Sequence, residues 1–347
     1  MPAAATTPLR VLLVTSWDTA CGIAAHSELL KQAVEAADPG IEVEPSALAL
    51  DPNVSLGPHR PVVRLVHLNH HDALHSRWTP EHVDGLVRNG IPVVVTFHDT
   101  REICEEGSKL LALSQVASAL VIHEPVARLS GAHYWRQGVP AAALGPVQYT
   151  TQWVEPYPHR VGEAIVPLKA FPQQPVLGTC GFNFPWKNFD RLAQETAALG
   201  WAYLVCSTNA TAEDEARWKA LNPSTLVVRG WLDTPTLINY LAGCTATAFM
   251  YECANTGTSA AIRCGIAARR PLLAFRTCRQ FRDLYADVAD PDQYAIGWCT
   301  TWQDFRDWIS RGTYGLDPYL PMHTLAHRDS WTQLGVKYAQ LYRSLVS

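Results

Sequence analysis

The chain has 347 residues, 48% of them hydrophobic, and a formal net charge of −4. That length and apolar content suit about two domains with sizeable cores. With 28 basic and 32 acidic side chains it lacks the global basic excess of a dedicated nucleic-acid binder.

No apolar run reaches the roughly 18 residues of a membrane span, and Met1 to Arg10 carries no signal-peptide pattern. Arg10 to Thr15 is an apolar run of the kind buried in a parallel sheet. Ser16 to Gly22 is a polar turn, and Ile23 to Ala37 reads as a helix. Gly22 stands where the chain enters that helix, a place where a missing side chain lets the backbone approach a ligand or a neighbouring element. Strands follow over Ile41 to Leu48, Val62 to Leu68, Pro92 to Phe97 and Ala119 to His123, with helices around Pro80 to Arg88 and Glu105 to Ser114. Strands alternating with helices mean a parallel sheet covered on both faces, with ligands at the carboxyl ends of its strands. Two polar clusters stand at such ends: His67, Asn69, His70, His71 and Asp72, and then His98, Asp99 and Thr100.

Glu155 to Pro175 holds prolines at 156, 158, 167, 172 and 175 and little periodicity, so the linker belongs there, with one domain over 1–166 and a second over 167–329. The second repeats the alternation. Strands fall over Val176 to Cys180, Trp201 to Cys206, Thr225 to Val228 and Thr245 to Met250, and helices over Trp186 to Leu199, Thr211 to Leu221 and Pro235 to Leu241. Then come a small-residue turn, a helix over Ala260 to Ala268 and another apolar run after Pro271. In that turn Asn255, Thr256, Gly257, Thr258 and Ser259 place N–H groups and hydroxyls at a helix N-terminus, which suits a phosphate. The competing reading is ordinary capping by Thr or Ser. Gly312 to Asp329 reads as loop-rich, and 330–347 as a long amphipathic helix. Nine cysteines without a Cys-x-x-Cys pair fit reduced, buried thiols in a cytoplasmic protein.

Four segments together resemble the two-Rossmann (GT-B) glycosyltransferases, the family 4-like group. They are the glycine loop Cys21-Gly22-Ile23-Ala24, the strand end Thr96-Phe97-His98-Asp99, the strand and turn Gly178 to Asn188 containing Lys187, and the pair Val228-Arg229-Gly230-Trp231 and Ser259 to Arg263 with Arg270-Pro271. The resemblance runs over nearly the whole chain. It implies two Rossmann-like α/β domains facing across a cleft, with the last helix crossing back to the first domain. It also implies an enzyme moving a hexose from a UDP- or GDP-sugar to a hydroxyl acceptor, with retention. The nucleotide-sugar would be a co-substrate, with no cofactor and no metal.

Carried over by position, the resemblance places Gly22, Ile23, Asn183, Arg229, Gly230, Trp231, Glu252 and the Asn255–Ser259 turn at the donor. It places Lys187 at the diphosphate, His98 beside the donor sugar, and His70, His71 and Asp99 on the acceptor side; Asp99 is otherwise a helix cap. Two departures stand out. The arginine the group carries ahead of its lysine is Phe182 here, and the second glutamate of its Glu pair is Arg263. Arg263 therefore either replaces the missing diphosphate cation or forms a structural ion pair. The departing diphosphate gains negative charge, so a fixed cation there lowers the barrier.

The cluster His67, His70, His71, Asp72 and His75 matches neither a zinc finger nor a His-Glu-x-x-His helix; acceptor contact or a solvated loop is expected instead. No carboxylate is aligned as a nucleophile, which favours transfer on one face of the sugar. The alternatives are a nucleotide-sugar-binding protein with lost or altered catalysis, a glycosyltransferase acting on modified DNA, and a sugar-phosphate epimerase or phosphorylase-like enzyme. Glycans, lipid-linked sugars and small molecules complete the candidate acceptors. The Arg269 to Arg282 stretch is the only local basic run relevant to DNA, and no basic amphipathic helix signals membrane docking.

Overall fold

The computed structural model describes residues 7–46, 63–71, 75–98, 108–123, 131–140, 171, 173–252, 258–285, 296–311 and 319–347. Contacts divide them into two compact units: unit 1 of 7–138 with 258 and 329–347, and unit 2 of 139–252 with 259–328. The boundary expected at 166/167 lies outside the described residues. No described helix is long and apolar enough to cross a membrane.

Unit 1 holds β1 (Leu9–Val14), α1 (Gly22–Ala37), β2 (Ile41–Ser46), β3 (Leu65–His70), α2 (Pro80–Arg88), β4 (Val93–Phe97), α3 (Lys109–Val116), β5 (Ala119–Ile122) and β6 (His133–Tyr134). Its six strands pair in the order β2-β1-β3-β4-β5-β6, all parallel. Successive side chains of a strand point to opposite faces, and the core follows that rule. Leu9, Val11 and Leu13 pack with Leu30 and Val34 of α1 on one face. Leu12 and Val14 pack with Trp78, Val83, Leu110 and Leu113 on the other.

Unit 2 holds β7 (Val176–Cys180), a 3-10 turn (Pro185–Lys187), α4 (Phe189–Ala198), β8 (Ala202–Ser207), α5 (Ala212–Leu221), β9 (Thr225–Arg229), α6 (Thr234–Ala242), β10 (Ala246–Phe249) and α7 (Ala260–Ala267). It continues with β11 (Leu272–Phe275), the short α8 (Arg282–Tyr285), β12 (Ile296–Cys299), α9 (Trp302–Arg311) and α10 (Tyr319–Arg328). Its strand order is β12-β11-β10-β7-β8-β9, again all parallel. The described cysteines are free thiols, and burial pushes those of Cys244, Cys264 and Cys299 up to about 12.

The stretch expected to be loop-rich carries α10. Pro321 sits in its first turn, where a helix makes no use of the missing N–H. The strand β12 and helices α8 and α9 were also not anticipated.

The last helix, α11 (Trp331–Val346), belongs to unit 1. Leu334 and Tyr338 join the core cluster of β1 and α1. The Tyr342 hydroxyl lies 2.6 Å from His67 Nδ1, and that of Tyr338 lies 3.1 Å from Thr96 Oγ1. Arg343 donates twice to the Asp38 carboxylate at the end of α1. At the helix crossing, a β-carbon on Gly335 would stand 2.2 Å from the Ala33 carbonyl oxygen. Gly335→Ala must push the helices apart and is expected to cost about 1–3 kcal/mol, read as a lower denaturation midpoint. An unchanged midpoint would mean that the crossing yields freely.

Candidate functional site

The carboxyl end of β7 organises unit 2. Gly181 turns the chain at φ 121°, a left-handed conformation that favours glycine. A β-carbon there would stand 2.6 Å from Lys187 Nζ and 3.5 Å from Ala261 Cβ. The Lys187 ammonium therefore occupies the space glycine leaves, beside the first turn of α7. Lys187 is only 6% exposed. Its Nζ lies 5.8, 5.4 and 5.0 Å from the ring centroids of Phe184, Trp186 and Tyr251, within cation–π range. Phe182, Phe184 and Trp186 stack as a ladder, with ring spacings of 6.0 and 5.5 Å.

The turn is tied to the chain after β10. Asn188, at φ 60°, donates its side-chain amide to Met250 O, and the Glu252 N–H donates to Trp186 O. Tyr251 donates its hydroxyl to Cys180 O. These bonds tie the lysine's turn to the chain after β10.

Of the expected phosphate turn, Asn255, Thr256 and Gly257 lie outside the described residues. Thr258 is half-buried, and Ser259 is buried at the N-cap of α7 with no side-chain cap bond. By contrast Ser108, Thr211, Asp233 and Ser330 each cap their helices, α3, α5, α6 and α11. Ordinary capping by Ser259 is thus not what its side chain does. Unsatisfied N–H groups and the helix dipole make such an end attractive to anions.

Of the two roles open to Arg263, the geometry shows the ion pair. It points into the core, 1% exposed, and its guanidinium pairs with the equally buried Asp283 of α8. Asp283 follows directly on the Arg269 to Arg282 basic run, twenty positions from Arg263, so the sequence showed no partner for the ion pair.

The other expected donor residues lie along the same strand ends. The Asn183 N–H donates to Asn209 Oδ1 at 2.5 Å. Arg229 ends β9 and pairs with Glu215. Gly230 follows at φ 101°, and Trp231 is 45% exposed. Glu252 is exposed, and its carboxylate accepts from Trp302 Nε1.

In unit 1 the carboxyl ends of β1, β3 and β4 meet α1 in a polar network. Thr15 Oγ1 and Ser27 Oγ lie 2.6 Å apart, and Asn69 Nδ2 donates to Ser27 Oγ at 2.7 Å. Asn69 Oδ1 accepts from His98 Nε2 at 2.5 Å. His98 packs edge-on against His26 at 4.5 Å between centroids, and lies 5.3 Å from His123. His26 is wedged further by Trp331 at 4.8 Å. Burial first, then neighbouring histidines, hold the pKa of His26 and His98 well below the ordinary value, so both rings are neutral at pH 7.

Gly22 opens α1 with nothing within 4 Å of its missing β-carbon, and Ile23 beside it is half-buried. Cys21 gives that helix no side-chain cap. The ring of His70, expected on the acceptor side, is buried, stacked on His75 at 5.5 Å and edge-on to Phe97, and burial lowers its pKa to about 2. His71 stays half-buried, with its N–H donated to His75 Nδ1. Asp72 and Asp99 lie outside the described residues.

Sequence reasoning missed His26, His123 and Asp283. A signal existed for His26, which shares the apolar face of α1 with Leu30 and Val34; a polar side chain on a core stripe marks a built contact. His123 closes a strand whose other members are apolar.

No family model matches the chain, and no curated protein matches it. Solved structures do. A glycosyltransferase from Rickettsia africae ESF-5 is 11% identical, with a TM-score of 0.66 over 98% of this chain and 99% of that one. HepE of Anabaena, solved in complex with UDP and glucose, is 13% identical, with a TM-score of 0.61 over 97% and 100%. AviGT4, a glycosyltransferase involved in avilamycin A biosynthesis, is 14% identical, with a TM-score of 0.60 over 98% of each chain. At such identities the likeness is one of fold: the chain has the two-Rossmann fold of the GT-B glycosyltransferases.

Proposed function

We propose that this protein is a glycosyltransferase that moves a hexose from a nucleoside-diphosphate sugar to a hydroxyl acceptor. The observation that carries the reading is the Lys187 ammonium, held among rings beside the uncapped start of α7. A cation and a helix N-terminus each favour a negative group, and a diphosphate offers one to both. Gly181 makes room for the ammonium, and the aromatic faces attract it.

In the proposed reaction the bond from the anomeric carbon to the diphosphate oxygen breaks, and the bond to the acceptor oxygen forms on the same face. The acceptor's proton passes to the departing phosphate, so no protein nucleophile is needed. Lys187 and the α7 N–H groups balance the charge that grows on the leaving group, which leaves no metal to invoke at the diphosphate. The exposed rings of Phe184 and Trp231, 43% and 45%, offer faces for a base or sugar. Unit 1 supplies the acceptor side, where His71 and Asp99 remain the assigned contacts. The His98 ring is committed to Asn69, so its sugar contact falls to the main chain at that turn.

A panel of UDP-, GDP- and ADP-sugars, followed by thermal shift and by release of the nucleotide, tests this. Binding of one donor with slow hydrolysis or transfer is expected; no binding to any donor removes the reading. Binding without turnover on every acceptor tried supports the second reading, a nucleotide-sugar-binding protein. One observation favours that second reading: with Phe182 in place of an arginine and Arg263 tied to Asp283, the site has fewer cations than the resemblance implies.

A further inference from the structure

Three histidines converge at the carboxyl edge of the unit 1 sheet. His26 comes from the second turn of α1, His98 follows β4 and His123 follows β5. One ligand nitrogen from each lies within 4.8 Å of the others, and among the described residues this is the group that meets that condition. We propose that His26, His98 and His123 bind a divalent transition-metal ion, zinc in the first instance.

The hydrogen bonds around the rings fit the assignment. A metal-bound histidine usually donates its other ring N–H to a carbonyl or amide oxygen, which fixes the ring and its tautomer. His98 Nε2 donates to Asn69 Oδ1, leaving the lone pair on Nδ1. His123 Nδ1 donates to Trp135 O at 2.8 Å, leaving the lone pair on Nε2. His26 differs: its Nδ1 is 3.3 Å from Asn69 Nδ2, and its buried Nε2 has no hydrogen-bond partner among the described residues. Ligation through Nε2 moves that proton to Nδ1. It gives up the long contact, while Asn69 keeps its 2.7 Å bond to Ser27.

Tetrahedral zinc with bonds of 2.0–2.1 Å sets ligand nitrogens about 3.4 Å apart, so the rings must close by side-chain rotation alone. Three imidazoles suit zinc, copper, iron or nickel better than magnesium or calcium. His98 is the partly exposed member of the group and marks the side from which an ion enters. Three neutral ligands leave the ion's double charge uncompensated, so the open fourth position takes an anionic oxygen such as hydroxide. The site lies within unit 1 and does not depend on the donor reading.

The test uses the full chain without a polyhistidine tag, stripped with a chelator. Titration with Zn²⁺ and Co²⁺ should show one bound equivalent, a raised thermal midpoint and, for cobalt, visible absorption of a four- or five-coordinate ion. His26→Ala and His123→Ala should abolish all three signals, while His133→Ala, at an exposed histidine of β6, should leave them. Asn69→Ala should weaken binding by about 10–100-fold. If the alanine variants do not fold, zinc X-ray absorption on the unsubstituted chain decides: three imidazole ligands support the site, and fewer overturn it. No stoichiometric binding, or binding that survives both substitutions, overturns it as well. Lys187→Ala should bind metal normally, so failure of the donor reading and failure of the metal site are read separately.

Discussion

Lys187→Ala is expected to lower turnover by about 10²–10³-fold, the usual loss when one preorganised charge is taken from a developing anion. The fold should hold. The lysine lies in a turn stitched by the Asn188, Tyr251 and Glu252 bonds, none of which uses its side chain. Stability should change by about 1 kcal/mol. Lys187→Met separates charge from packing, since it keeps the apolar stem against Trp186 and Tyr251; its rate should match that of the alanine variant. A rate within a few-fold of the unsubstituted protein would mean that the ammonium serves packing alone.

Arg263→Ala should act in the opposite sense, on stability before rate. It leaves the Asp283 carboxylate charged in a fully buried position, and breaking a buried pair from one side costs about 3–5 kcal/mol. That is a large share of a typical domain's stability, so a sharply lower urea midpoint, or insoluble protein at 37 °C, is the expected result. Replacing both partners, Arg263→Met with Asp283→Leu, removes the buried charge and should recover most of the loss. Activity per folded molecule should then lie near that of the parent. If Arg263→Ala instead abolished turnover at unchanged stability, the arginine would return to the diphosphate.

The strands were legible because parallel, doubly buried strands are short apolar runs: Val176–Cys180 matches its expected span residue for residue. The GT-B fold was legible through the order of its turns. Contacts built from distant residues were not. Nothing near Arg263 in sequence announces Asp283, twenty positions on, as its partner. His70 stood beside His71 in one polar cluster, yet strand alternation puts neighbouring side chains on different faces, and the structure buries His70 and leaves His71 half-buried. His26, His98 and His123 share no spacing pattern at all; only the parallel sheet brings their three turns to one edge. α10 carries Pro321 in its first turn, a position compatible with a helix.

The seating of α11 on unit 1 bears on how the protein is made. His67 and its hydroxyl partner on Tyr342 are 275 residues apart in the chain, and Thr96 and Tyr338 are 242 apart. A ribosome adding about 5–20 residues per second needs roughly 14–55 s between the first pair's halves. Within that interval the rest of the first sheet and then all of unit 2 are synthesised, with the core positions of Leu334, Tyr338 and Tyr342 still unfilled. The first half of the chain therefore presents an apolar face until α11 has been made, and its core closes only around that late helix.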